Sequence, residues 1–350
     1  MKVSEFDFDL PPELIAQEPP VLRGASRLLH LDQATGALAD LQFGDLPTLV
    51  RAGDVFVFND TGVFPARLIG RRLPGGGAVE CLLVRRVAQE RGAEVWEALV
   101  HPGQRLREGS RMEFEGSDVF IAAEILDRHF HGRRTVRLTT DAPSIGSAVA
   151  AIGHVPLPPY IKRDDDLADR ERYQTIYARD RESIAAPTAG LHFTPELLSA
   201  LDARGVERVF LTLHVGYGTF QPVRVDDVSE HSVEAEQYDV SPETADRLSR
   251  ALAEGRRIVA VGTTTVRALE SLKVRGAAVE SGRGSTDLFV RPGHRFQIVS
   301  GLVTNFHLPR SSLLMLVSAF AGRERVLDAY RHAVRQRYRF YSYGDAMVIL

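Results

Sequence analysis

The sequence predicts an α/β protein, a larger α/β domain with an inserted small β-barrel domain. Between about Pro65 and Thr140, short β-rich runs follow one another with turn residues between them, the rhythm of a small barrel. On either side the units lengthen into strand, turn and helix, the alternation of an α/β layer. A chain of 350 residues also exceeds the size at which one hydrophobic core ordinarily keeps growing, so two domains are expected. The larger domain is assigned to residues 1–62 and 150–350 and the barrel to 63–149.

Taken in order, residues 54–58 read as an α/β-like run ending in Asn59-Asp60-Thr61, so that the barrel interrupts the larger domain. The barrel runs are 66–72, 78–87, 95–100, 111–114, 119–126 and 135–138. Pro74-Gly75-Gly76-Gly77, Arg91-Gly92 and His131-Gly132 fall between runs, where turns with positive φ favour glycine. Asp164-Asp165-Asp166, with Arg163, Asp169 and Arg170, reads as a charge-dense, solvated connection. A helix starts at Pro195 with Thr194 as its cap and Glu196 at the positive end of its dipole, and Gly205 stops it. A strand follows over 208–215, a helix over 241–254, a strand over 257–261 and a helix over 266–272. The apolar run 313–320 is a structural helix. A last helix over 323–339 would align Arg331, Arg335 and Arg339 on one face.

Composition narrows the class. Apolar residues make up 44% of the chain, enough for real cores, and Cys81 alone supports neither a disulfide scaffold nor a cysteine zinc cluster. Met1 to Leu10 alternates acids with Phe6 and Phe8 and lacks the basic flank and apolar run of a signal peptide, and no run of eighteen apolar residues occurs. A cytoplasmic location is expected. The net charge of -3 argues against bulk attraction to nucleic acid but leaves room for a local basic face. All but Lys2, Lys162 and Lys273 of the 43 basic residues are arginine, a bias that GC-rich coding or phosphate recognition would each produce.

Several segments carry groups suited to chemistry. Thr188, Gly190 and His192 set a hydroxyl, an open backbone and an imidazole just before a helix start, where a polar or anionic ligand is favoured. Gly262-Thr263-Thr264-Thr265 delivers three hydroxyls from a buried strand to a helix N-terminus. That turn suits an anion or carboxylate, and equally a threonine that simply caps the helix. It has neither the lysine of a Walker loop nor the spaced glycines of a dinucleotide fingerprint.

His214-Val215-Gly216-Tyr217-Gly218-Thr219 carries a strand into a glycine-flanked turn where a flat ring could approach backbone, although a lone His214 could equally be a core histidine. His231, Glu234 and Glu236 add ionisable groups, and Thr304 to Ser312 forms a polar loop containing Asn305 and His307. His192, His214, His231 and His307 lack the spacing of a metal set, so acid–base work is the better reading. The tail Arg337-Tyr338-Arg339-Phe340-Tyr341-Ser342-Tyr343 mixes cations with rings that would stack on bases or pack as core.

Together these segments closely resemble the S-adenosylmethionine:tRNA ribosyltransferase-isomerase family of queuosine biosynthesis over almost the whole chain. The resemblance is carried by Phe58-Asn59-Asp60-Thr61 with Pro65-Ala66-Arg67, Pro156 to Ile161, Ala186 to Thr194, His214 to Phe220, Gly262 to Arg267, Thr304 to Pro309 and Tyr341 to Met347. It departs at Glu234, where many members are expected to carry histidine, whereas Glu236 fits.

The resemblance implies that S-adenosylmethionine is consumed as a ribosyl donor, a co-substrate and not a resident cofactor. Adenine and methionine leave, and the rearranged sugar joins the aminomethyl group of 7-aminomethyl-7-deazaguanine at the first anticodon position of tyrosine, histidine, aspartate and asparagine tRNAs, giving epoxyqueuosine. Such chemistry needs a base beside the sulfonium, an acid for adenine departure and a neutral amine. His192 and His214 are expected to transfer protons, with Asp60 and Glu236 orienting cationic or hydroxyl groups. Thr188, Gly190, Gly216, Tyr217, Thr219, Thr263, Thr264, Thr265, Arg267, Asn305 and His307 would line the donor or base pocket. Arg67, Arg71, Arg72, Arg310 and Tyr341 would contact RNA. No metal, no membrane and a monomer are expected. Two other classes stay open: an S-adenosylmethionine methyltransferase, although its glycine-rich first turn is not evident, and a noncatalytic RNA-binding protein.

Overall fold

The computed structural model describes residues 1–129, 132–179, 181–216, 218 and 223–350, Arg181 by its backbone alone. His131 of the expected His131-Gly132 turn lies outside the described residues. The chain divides into two units, one of residues 1–62, 158–163 and 172–350 and one of residues 63–157 and 164–171.

The strands that build the two units are, in chain order, β1 (Arg27–Leu31), β2 (Leu38–Gln42), β3 (Val55–Asn59), β4 (Arg67–Leu73), β5 (Ala78–Glu90), β6 (Ala93–His101), β7 (Arg111–Glu115), β8 (Phe120–Arg128), β9 (Arg133–Thr140), β10 (Glu207–Leu213), β11 (Glu236–Val240), β12 (Ile258–Val261), β13 (Gly282–Thr286), β14 (Gly301–Asn305) and β15 (Ala346–Ile349). The principal helices are α1 (Ile145–Ile152), α2 (Pro195–Ala203), α3 (Pro242–Ala253), α4 (Thr263–Glu270), α5 (Ser312–Ala321) and α6 (Arg323–Arg335).

The smaller unit is a closed antiparallel barrel in the order β9-β6-β5-β4-β7-β8. Its strands alternate inward apolar and outward polar residues, as Ile121, Ala123 and Ile125 do on β8, so closure buries one face and leaves no free edge. The chain leaves this unit at Pro158, later than the expected residue 150, because α1 packs on β8 and β9 and the next residues pair back onto β4. There His154 and Arg67 exchange backbone hydrogen bonds of 2.8 and 3.2 Å. The acidic segment beyond is less solvated than its composition suggested. Asp165 accepts from the backbone of Val155 at 2.8 Å and lies 2.8 Å from Nδ1 of His154.

The larger unit is built on a nine-stranded mixed sheet in the order β13-β11-β10-β3-β12-β14-β15-β1-β2. Its centre, β10-β3-β12-β14, is parallel. Every residue of β3, Val-Phe-Val-Phe-Asn, is buried, as a strand covered on both faces must be. Val55 and Val57 point into one core with α3, α5 and α6, and Phe56 and Phe58 into a second core with α2. Fully burying each such side chain contributes about 1.5–3 kcal/mol. β3 has β10 on one side and β12 on the other, so the sheet's winding reverses there. Loops at the carboxyl ends of strands flanking such a point splay apart and leave a crevice.

Side-chain caps start most of these helices. Thr194 accepts from Leu197, Ser241 from Thr244 and Ser311 from Leu314. α4 and α6 are different: their N-caps are Gly262 at φ +95° and Gly322 at φ +90°, and no side chain caps either. α6 ends at Arg335, and Arg337 adopts φ +55°, so Arg339 does not continue the face of Arg331 and Arg335. The aromatic tail packs chiefly as core: Tyr338, Phe340 and Tyr343 are buried, and only Tyr341 of its rings is half-buried beside a cleft.

Candidate functional site

A cleft occupies the crevice at the carboxyl ends of the parallel strands. Its walls come from distant parts of the chain: residues 185–189 before α2, Val215 after β10, Gly262 to Thr264 at the start of α4, Thr304 to His307 after β14, Tyr341 and Ser342 in the tail, and Tyr160. Local geometry explains the convergence. The amide of Gly262 donates to Val303 at 2.8 Å, placing the end of β12 beside the end of β14. Tyr341 donates its amide to Phe306 at 3.0 Å, drawing the tail onto the same edge. Among the described residues the lining contains no Asp, Glu, Lys or Arg, so the wall they form offers hydroxyls, amides and one imidazole.

Asn305 is the most constrained polar group there. Its Nδ2 donates to the carbonyl of Tyr341 at 3.0 Å and lies 3.1 Å from Nε2 of His192. A carbonyl only accepts, so the amide cannot be turned the other way, and both N–H bonds are used. Nε2 of His192 must therefore accept, which puts the ring proton on Nδ1, 2.9 Å from Oγ of Ser26. Burial, aided by Arg339 and Arg23, pushes the His192 pKa down to about 3, consistent with a neutral ring. His192 stacks against Phe43 and is absent from the cleft wall. Oδ1 of Asn305, by contrast, is buried with no hydrogen-bond partner among the described residues.

His307 does line the cleft. Its Nε2 is 2.8 Å from Oγ1 of Thr304 and its amide donates to Oη of Tyr330 at 3.1 Å, while burial lowers its pKa to about 3. Thr188, Thr263 and Thr264 also stand on the wall. Thr265 does not, because its hydroxyl donates back to the carbonyl of Val261 at 2.7 Å. Gly190 serves packing: a Cβ there would lie 2.2 Å from Oη of Tyr177. Tyr217 and Thr219 lie outside the described residues.

Glu236 and Arg267 form a buried ion pair at 2.6 Å beside a second hollow. The other oxygen of Glu236 accepts from the amide of Gly216 at 2.9 Å, and Arg267 donates to the carbonyls of Leu288 and Thr286. The pair thus ties α4, β11 and the turn after β10 together. His214 and Asp60 are not brought to the cleft wall. His214 lines a separate depression with Glu182 and Thr212, its Nδ1 lying 3.2 Å from Oγ1 of Thr61. Asp60 accepts from Thr212 at 2.7 Å and lies 3.6 Å from Arg179.

The residues expected to meet RNA are mostly engaged within the chain. Arg67 pairs with Glu80, Arg71 with Glu113 and Glu115, and Arg310 with Asp7, while Arg72 lies against Gly77. Tyr341 belongs to the cleft, its ring 3.7 Å from that of Tyr160. Tyr160, Ser342 and Ser26 were missed as site residues. The Pro156 to Ile161 motif pointed to Tyr160, whereas nothing in the sequence singles out Ser26.

Residues 3–349 match the family model described as queuosine biosynthesis protein. The chain is 53% identical to S-adenosylmethionine:tRNA ribosyltransferase-isomerase of Anaeromyxobacter sp. (strain Fw109-5), over 100% of this chain and 99% of that protein. It is 48% identical to the protein of the same name from Desulfitobacterium hafniense, with 100% of both covered. Among solved structures it is similar to the S-adenosylmethionine tRNA ribosyltransferase of Thermotoga maritima, at 40% identity and a TM-score of 0.56, over 99% of this chain and 100% of the other. No helix among the described residues is long and apolar enough to cross a membrane. On this evidence the chain belongs to the S-adenosylmethionine:tRNA ribosyltransferase-isomerase family of queuosine biosynthesis proteins.

Proposed function

We propose that the protein transfers and isomerises the ribosyl group of S-adenosylmethionine onto the aminomethyl group of 7-aminomethyl-7-deazaguanine in tRNA, giving epoxyqueuosine-tRNA with release of adenine and methionine. The observation that carries this reading is the single cleft walled by Thr188, Gly262 to Thr264 and Thr304 to His307, because these lie within the segments on which the family resemblance rests.

Proton transfer at the cleft is assigned to His307, in place of His192 and His214. Among the described residues it is the histidine on the wall, and Thr304 holds one of its nitrogens. His192 acts behind the wall, through Asn305. Glu236 acts by holding Arg267 and the Gly216 amide in place. The partners are S-adenosylmethionine and tRNA, the protein works in the cytoplasm without a resident cofactor, and phosphate contacts make tRNA affinity fall with salt.

The test is to incubate the full chain with S-adenosylmethionine and tRNA bearing the aminomethyl base, digest the tRNA and weigh its nucleosides. A nucleoside heavier by the rearranged sugar supports the reading. A methylated nucleoside, or unmodified tRNA under conditions where it binds, contradicts it.

A further inference from the structure

The cleft wall holds two unsatisfied polar features side by side. One is the start of α4, where the amides of Thr263 and Thr264 have no acceptor among the described residues and no side chain caps the helix. Helix N-termini attract anions through converging N–H groups and the positive end of the dipole. The other is Oδ1 of Asn305, on a side chain only 2% exposed. A buried acceptor without a donor costs about 1–3 kcal/mol, so a ligand that supplies the donor recovers that cost. The Gly262–Val303 hydrogen bond makes the two features neighbours. With no charged side chain on the wall among the described residues, a ligand group carrying its own opposite charges suits the pair better than a lone ion.

We propose that this corner of the cleft binds an α-amino acid head group, with the carboxylate on the Thr263–Thr264 amides and the ammonium donating to Oδ1 of Asn305. Under the proposed function this is the methionine end of S-adenosylmethionine, and the assignment rests on that reading. Ser26 and His192 then have a definite task. Ser26 accepts the Nδ1 proton of His192, whose Nε2 takes one Asn305 hydrogen, and the Tyr341 carbonyl takes the other. The amide is thereby locked with its oxygen free for the ligand. His192 is a positioning residue in this scheme.

The experiment measures binding of three probes to the full chain: S-adenosylmethionine, its analogue with hydrogen in place of the amino group, and its decarboxylated analogue. Hydrogen bonds to charged groups are worth about 1.5–3 kcal/mol, so each analogue should bind wild type roughly 10- to 100-fold more weakly. Asn305→Ala should weaken S-adenosylmethionine by a similar factor yet bind the deaminated analogue as wild type does, with adenosine affinity unchanged as a folding control. His192→Ala should give part of the Asn305→Ala pattern, and His192→Gln, which restores an acceptor, should recover it.

Equal wild-type affinity for the deaminated analogue and S-adenosylmethionine overturns the assignment without any variant. So does an Asn305→Ala loss of equal size for both, which would mean that Asn305 reads another part of the ligand, such as the adenine amine. These results are separable from failure of the proposed function. Adenine release with unselective head-group binding rejects only the subsite, whereas absence of adenine release rejects the reaction.

Discussion

Asn305 and His192 meet through one contact, Nδ2 to Nε2 at 3.1 Å, and it determines the role of each. The amide can make it only as donor and the imidazole only as acceptor, so a histidine that the sequence offered as a proton carrier is held neutral and out of the cleft. The group presented to a ligand is instead the asparagine oxygen.

Stability should report the neutral state of His192. Its folded pKa, about 3, lies below the ordinary value of 6.5, so the unfolded chain takes up a proton first as pH falls. The stabilisation is therefore complete above about pH 6.5 and is lost toward pH 3, at about 1.4 kcal/mol per pH unit. Urea unfolding of wild type and His192→Gln between about pH 7 and about pH 5 should show a slope smaller by about one proton in the variant. An unchanged slope would mean that His192 is not buried neutral.

The Glu236–Arg267 pair should behave as a buried unit. Glu236→Gln leaves an uncompensated guanidinium and should cost about 3–5 kcal/mol in denaturant unfolding. Adding Arg267→Met should recover much of that loss, because the orphaned charge is gone. Strictly additive losses would place the two groups in separate environments.

Gly190→Ala should destabilise the fold by about 1–3 kcal/mol, since its Cβ would lie 2.2 Å from Oη of Tyr177. The clash is with the hydroxyl, so Tyr177→Phe in the same chain should restore part of the melting temperature. If the double variant is no better than Gly190→Ala, the close approach to Thr175, 2.8 Å from the same Cβ, dominates instead.

His307→Ala should lower kcat by about 10²- to 10⁴-fold, the usual contribution of a positioned proton-transfer group, with a smaller change in KM. His214→Ala, away from the cleft wall, should affect kcat less. The reverse ranking would return the proton chemistry to His214.

The barrel was legible because strands such as Phe120–Arg128 alternate and glycine punctuates the turns, and the Thr194 cap because its chemistry is local. The last helix was overextended because Arg335 and Arg339 keep helical spacing, while the positive φ of Arg337 and the burial of Tyr338 and Phe340 are tertiary effects. β1 and β15 also escaped notice, since each is short and the two pair with each other from opposite ends of the chain. Within the site, Thr188, Thr263, Thr264, Asn305 and His307 stood out by motif. What the sequence did not display was direction: His192 and Asn305 are both polar and conspicuous, and only the geometry tells which of them meets the cleft. Arg67, Arg71 and Arg310 looked available for phosphate because their carboxylate partners are distant in sequence.

Free adenine is the most direct readout of the central claim. With purified protein, S-adenosylmethionine and tRNA carrying the aminomethyl base, ribosyl transfer predicts adenine and methionine released in equal amounts, matching the modified nucleoside formed. Accumulation of S-adenosylhomocysteine in place of adenine would contradict it.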